Sequence, residues 1–138
     1  MGYTRYFKYT KQTDDKFSEF SKMAELLKNK WTAETGVPIV NGHGETDTEP
    51  LYNNNEVIFN GLDDDAHETF YITKDGGSEF CKTQRKPYDQ LVNMTLELAK
   101  NMLDDFSYSS DGPNGDEENL VWLKMFMREN KISEILDV

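Results

Sequence analysis

Between Tyr3 and Trp31 the apolar residues change period, and that change dictates how the chain begins to fold. Tyr3, Arg5, Phe7 and Tyr9 alternate with Thr4, Tyr6 and Lys8, the two-residue repeat of a strand with one covered face. From Phe17 the spacing lengthens: Phe17, Phe20, Ala24, Leu27 and Trp31 lie three or four apart and form one apolar stripe on a helix. Thr13 offers an N-cap oxygen, and Asp14 and Asp15 occupy the first turn, where the helix dipole favours negative charge. Thr35-Gly36, with Pro38 just beyond, closes the helix.

The remaining elements follow from the same signals. Val37–Val40 reads as a short strand, and residues 41–55 as a long polar loop, of the kind that is functional or mobile. Glu56–Asn60 and His67–Thr73 are strand candidates. Asp75-Gly76-Gly77 predicts a hairpin whose returning strand is Glu79–Thr83, because glycine supplies the positive φ of tight turns. Pro87 fits the first position of a helix running to about Asp105, with Tyr88, Leu91, Val92, Thr95, Leu98, Ala99 and Met102 inward. Phe106–Ser110 adds a strand and Asp111-Gly112-Pro113-Asn114-Gly115 a turn. Asp116 then caps a helix to Met127, packed through Leu120, Leu123, Phe126 and Met127, and residues 129–138 form a C-terminal tail. This order predicts an α+β fold: an antiparallel β-sheet with about three helices packed on it, one domain over residues 1–138.

At 138 residues such a domain buries roughly two-thirds of its unfolded surface and needs no metal or disulfide to fold. Cys81 is the only cysteine, which excludes an internal disulfide and suits a reducing compartment. No apolar run resembles a signal peptide or a membrane span, so the cytoplasm is the expected location, with no membrane partner. A net charge of −11 repels phosphate backbones and argues against direct nucleic-acid binding. The charge is uneven. Val40–Glu68 holds eight carboxylates (Glu45, Asp47, Glu49, Glu56, Asp63, Asp64, Asp65, Glu68) and no lysine or arginine, whereas Phe80–Tyr88 carries Lys82, Arg85 and Lys86 and no acid.

Three chemistries compete for these residues. His43, Glu45, Asp47 and Glu49 alternate, and Asp63–Asp65 precede His67 and Glu68, a supply of hard-cation ligands without a His-x-x-x-His or EF-hand pattern. A solvated acidic loop is the simpler account of them. Cys81 with His43 or His67 would make a nucleophile if Lys82 and Arg85 lowered its pKa; a buried packing cysteine is the simpler account. The cationic island offers anion capture. Thr83-Gln84-Arg85-Lys86-Pro87-Tyr88 lies where a strand hands over to a helix, so Arg85 can grip a phosphate bidentately, Lys86 adds a charge, and Tyr88 can stack or donate. Its competitor is a structural network pairing Arg85 and Lys86 with Asp63–Asp65 or Asp89. No Walker A, Gly-x-Gly-x-x-Gly, kinase or hydrolase signature is present, and no cofactor is expected.

Gly2-Tyr3-Thr4-Arg5-Tyr6, Pro38-Ile39-Val40-Asn41-Gly42, Asp64-Asp65-Ala66-His67-Glu68-Thr69-Phe70, Phe80-Cys81-Lys82-Thr83-Gln84-Arg85-Lys86-Pro87-Tyr88-Asp89 and Ser109-Ser110-Asp111-Gly112 form a distinctive set. Through them the chain resembles a family of small bacteriophage and bacterial proteins, some with His at position 5. The resemblance implies a phage setting, in which small acidic proteins bind host factors or sequester host signals; it implies no activity. The expected function is therefore a non-catalytic binding protein, a phage-type anti-defence factor that captures a phosphorylated or nucleotide-like small molecule. Its expected site is Lys82, Thr83, Arg85, Lys86, Tyr88, His67, Glu68 and His43. The alternatives are an acidic inhibitor or nucleic-acid mimic bound to a host protein, and a small metal-dependent hydrolase.

Overall fold

The computed structural model describes residues 3–42, 44–45, 48–112 and 116–130. His43, the Pro113-Asn114-Gly115 portion of the expected turn and residues 131–138 of the expected tail lie outside them. The fold is α+β, with antiparallel strands and three helices. In chain order it runs β1 (Thr4–Tyr9), α1 (Asp14–Thr35), β2 (Ile39–Val40), β3 (Leu51–Tyr52), β4 (Glu56–Gly61), a 3-10 turn at Asp63–Asp65, β5 (Phe70–Thr73), β6 (Gly77–Lys82), α2 (Asp89–Met102), β7 (Ser107–Ser110) and α3 (Asp116–Glu129).

Helix α1 forms where its stripe and caps place it. The Lys16 N–H donates to the Thr13 hydroxyl (3.3 Å), and Gly36, at φ 74°, donates to the Thr32 carbonyl (2.8 Å). Helix α2 starts two residues after Pro87 and stops at Met102, and α3 runs two residues past Met127. The polar loop contains an unforeseen strand. In the Asn53-Asn54-Asn55 run, the Asn53 side chain accepts from the N–H groups of Asn55 and Glu56 (both 2.9 Å) and turns β3 back onto β4.

The expected hairpin between β5 and β6 does not form. Strand β5 pairs with β4 (Phe59↔Phe70, Ile58↔Tyr71), whereas β6 pairs with β1 (Arg5↔Cys81, Tyr6↔Phe80), so the strands occupy two sheets, β6-β1-β7 and a second built on β4. Gly76 does adopt positive φ (87°), but its turn lies against the backbone of Thr10 and Lys11, where a Cβ would meet the Thr10 carbonyl carbon at 2.7 Å. Gln12 donates to the Lys74 carbonyl (2.9 Å) from the same connection. The turn thus carries the chain from one sheet to the other. At its far end Glu68 bridges the seam, donating its N–H to the Lys82 carbonyl (3.2 Å) and accepting the Lys82 N–H on its carboxylate (2.8 Å). Residues 67–69 lie outside the β5 strand, and the Asn60 carboxamide bonds both the N–H (3.1 Å) and the carbonyl (3.0 Å) of His67.

One core spans both sheets. Phe7 of β1 meets Phe70 of β5 at 5.6 Å between ring centroids, and Phe70 meets Phe59 at 4.9 Å. Phe17, Phe20 and Leu27 of α1 and Leu91, Leu96 and Leu98 of α2 are fully buried against them, and α2 touches both α1 and α3.

Arg5 is the exception in that core. It sits on the inward face of β1, fully buried, and all five of its N–H donors are used. Nε and one Nη bond Asp89 (3.0 and 2.7 Å), the two Nη atoms bond Asp116 (2.8 and 3.0 Å), and one of them reaches the Ser110 hydroxyl (2.8 Å). Burial opposes the charge, but the hydrogen bonds and negative charges of Asp116 and Asp89 outweigh it and hold the guanidinium pKa above its ordinary value. Removing the cation strands two carboxylates. Arg5→Ala is therefore expected to destabilise the protein by about 3–5 kcal/mol in urea unfolding, with Arg5→Lys recovering only part because an ammonium has no planar fork.

Candidate functional site

The anchored carboxylates organise the corner where the cationic island lies. Thr83 follows β6 and donates its N–H to the Tyr3 carbonyl (2.9 Å) and its hydroxyl to Asp89 (2.6 Å). The chain then reverses through Gln84 and Arg85, closed by the Lys86 N–H on the Thr83 carbonyl (3.0 Å). Both turn residues are left-handed, Gln84 at φ 50° and Arg85 at φ 56°, a conformation that costs a side-chain-bearing residue about 1–2 kcal/mol. The turn places the Arg85 guanidinium 4.4 Å from the centroid of the Tyr3 ring, while the Arg5 guanidinium lies 4.9 Å from the same ring.

Next to this stack is a cleft of about 400 Å³, within the range of small-molecule sites. Tyr3, Arg85, Lys86, Pro87 and Asp89 line it at the sheet side; Trp31 and Thr35 come from α1, Gln90 and Met94 from α2, and Glu118, Asn119 and Trp122 from α3. Neither Arg85 nor Lys86 makes an ion pair with any described residue. The alternative in which they pair with Asp89 is removed by Arg5, which holds that carboxylate. Tyr3 is 3 % exposed, yet its buried hydroxyl has no hydrogen-bond partner among the described residues.

The expected site residues divide. Arg85 is exposed and Lys86 half-buried, and both line the cleft. Tyr88 and Thr83 are fully buried with their hydroxyls engaged, Tyr88 on the Glu68 carbonyl (2.6 Å) and Thr83 on Asp89. They shape the corner and do not line the cleft. Lys82 is exposed on the outer face of β6, its ammonium 5.9 Å from the Phe80 ring centroid, and Glu68 is bound to the Lys82 backbone. The His67 side chain is exposed and does not line the cleft; His43 lies outside the described residues. The start of α2 is less open to an anion than its sequence implied, because the Asp89 N–H donates to the Lys86 carbonyl (2.8 Å) and that of Gln90 to the Pro87 carbonyl (3.3 Å). Among the described residues no three His, Cys, Asp or Glu side chains converge as a metal would require.

Sequence reasoning missed Tyr3, Trp31, Trp122, Asn119 and Gln90. Their spacing marked Tyr3 and Trp31 as core, and only the third dimension brings α3 beside the Arg85 turn. One signal was available: an arginine at an inward strand position requires buried carboxylates, and those sit on the first turns of α2 and α3. No protein-family model, curated protein or solved structure matches the chain.

Cys81 is 1 % exposed and donates to the Glu68 carbonyl (3.4 Å). Burial, aided by the charges of Glu68 and Asp89, pushes its thiol up to about 12, the opposite of an activated nucleophile. Iodoacetamide should label it only on unfolding, and Cys81→Ser should fold with a loss of about 1 kcal/mol. The raised folded-state pKa also gives a sign: stability present below pH 9 falls as pH rises from 9 toward 12, where the unfolded thiol ionises and the buried one does not. Urea midpoints across that window, for the parent and Cys81→Ser, measure the difference.

Proposed function

We propose that the protein is a non-catalytic binding protein that captures a phosphorylated small molecule in the cleft beside Arg85. The observation that carries this reading is the pair of cations, Arg85 and Lys86, that line a cleft of about 400 Å³ without an ion-pair partner among the described residues. Arg85 stacked on Tyr3 keeps the N–H edge of its guanidinium available, and that edge matches two phosphate oxygens. Lys86 supplies a second charge. The left-handed backbone at Gln84 and Arg85 supports the same reading, since strain of this kind persists where it positions a side chain. The biological role we attach to it, sequestration of a host signal by a phage-type anti-defence factor in the host cytoplasm, rests on the family resemblance.

Thermal melting with and without a panel of phosphorylated compounds tests the proposal. A ligand at a hundred times its dissociation constant stabilises the native state by about 2.7 kcal/mol. Arg85→Ala is expected to weaken binding roughly ten- to a hundredfold, the worth of about 1.5–3 kcal/mol for charge-assisted hydrogen bonds, with Arg85→Lys intermediate. Arg85→Gly separates function from structure. Relief of the left-handed penalty offsets the lost cation–π contact and the added chain entropy, so the unliganded melt should stay within about 1 kcal/mol of the parent while the ligand shift disappears. If no phosphorylated compound raises the melting temperature, the proposal fails.

One observation favours the acidic-inhibitor reading: Asp63, Asp64 and Asp65 are all exposed on a single 3-10 turn. A complex with a basic protein surface made through that turn would dissociate steeply as salt is raised, because exposed charges are screened over about 8 Å at physiological ionic strength. A salt-indifferent complex would count against it.

A further inference from the structure

We infer that the ligand carries a nucleobase, which lies against Trp122 while its phosphate is held by Arg85 and Lys86; the inference rests on the phosphate reading above. The cleft is chemically two-ended. Its sheet end has Tyr3 and the two cations Arg85 and Lys86, and its helix end has Trp122, Trp31, Met94 and Asn119. The ends are separated by helix geometry. Asp116 is fixed on Arg5, and Trp122 follows six residues later, about 9 Å further along α3. Met94 stands about 7.5 Å beyond Asp89 along α2 by the same rise.

Trp122 is suited to stacking. It is half-buried, whereas Trp31 is 3 % exposed and closes the cleft from α1. Its ring is pinned: it lies nearly parallel to Phe126 (6.1 Å, 6°), its indole N–H donates to Glu34 (3.4 Å), and the Lys30 ammonium is 6.0 Å from its centroid. A fixed, half-buried aromatic ring that lines a cleft offers a base an apolar surface to lie against, and a carboxamide alongside offers the donor and acceptor that a base edge requires. Asn119 is held for that role by its donation to the fully buried Asn93 (3.1 Å).

Both tryptophans of the chain line this cleft, so intrinsic fluorescence reports its occupancy. The parent protein is titrated with adenosine, guanosine, cytidine and uridine 5′-monophosphates, with ribose 5-phosphate and with inorganic phosphate, following emission and melting temperature. At least one nucleotide is expected to quench emission and to bind ten times more tightly than ribose 5-phosphate. Trp122→Leu is expected to abolish that ratio while ribose 5-phosphate binding persists. Trp122→Phe, which keeps an aromatic plane and guards against a folding defect, is expected to retain part of it. If ribose 5-phosphate binds as tightly as every nucleotide and Arg85→Ala weakens all of them, the base inference is overturned and the phosphate reading stands. Nucleotide preference that survives Trp122→Leu without quenching in the parent also overturns it. If no phosphorylated compound binds, both readings fall.

Discussion

A guanidinium buried on the inward face of a central strand cannot be left without counter-charges, and meeting that requirement shapes this molecule. Arg5 takes Asp89 from the first residue of α2, Asp116 from the first residue of α3 and the Ser110 hydroxyl from the last residue of β7. Four elements distant in sequence are thereby tied at one point. Both acids sit where a helix dipole also favours them, so the ion cluster and the helix starts reinforce each other. An apolar residue of similar volume at position 5 would fill the space, but it would not specify where α2 and α3 begin. Whether such an exchange changes stability is a separate matter from this positional role.

The same cluster frees the cations that the cleft presents. Asp89 follows Lys86 by three residues and would be its nearest counter-ion; Arg5 and the Thr83 hydroxyl take its oxygens instead. The Tyr3 ring contacts both cations, with the Arg5 guanidinium 4.9 Å and the Arg85 guanidinium 4.4 Å from its centroid. The negative ring faces stabilise both, which keeps Arg85 ordered without neutralising it. Ordering by an aromatic face leaves the donors available in a way that a salt bridge does not. The left-handed turn at Gln84 and Arg85 serves the same placement.

What was legible in the chain was whatever depends on near neighbours. The caps at Thr13 and Gly36 with the stripe Phe17–Trp31 located α1, and spacing picked out part of the inward sets of α2 and α3, missing the buried Asn93, Met94 and Leu96 and including Met102 and Leu120, which are half-buried. The errors share a cause. Asp75-Gly76-Gly77 carries the composition of a hairpin and makes a turn with the expected positive φ, but β1 and β4 outcompete the local partners for β6 and β5. Strand β3 was hidden because a two-residue strand has no period, and only the Asn53 side-chain turn reveals it. At the site, composition singled out Arg85 and Lys86, and both line the cleft. It misjudged Tyr88 and Thr83, whose hydroxyls are claimed inside the fold, since sequence cannot tell a buried hydroxyl from an available one.

Local charge balance narrows what the cleft can hold. Its lining carries two cations, Arg85 and Lys86, and two carboxylates, Asp89 and Glu118, in a chain whose net charge is −11. The charges of the lining are therefore evenly matched, and the exposed acids elsewhere repel anions over about a Debye length, roughly 8 Å at physiological salt. Under the phosphate reading proposed above, binding comes from short-range contacts: the guanidinium edge, the ammonium and the aromatic wall. Under that reading a single phosphate, as monoester or diester, fits best, since each further phosphate adds repulsion without a further cation among the lining residues. The aromatic half of the cleft becomes decisive under this constraint, because charge alone is too evenly matched to select a ligand.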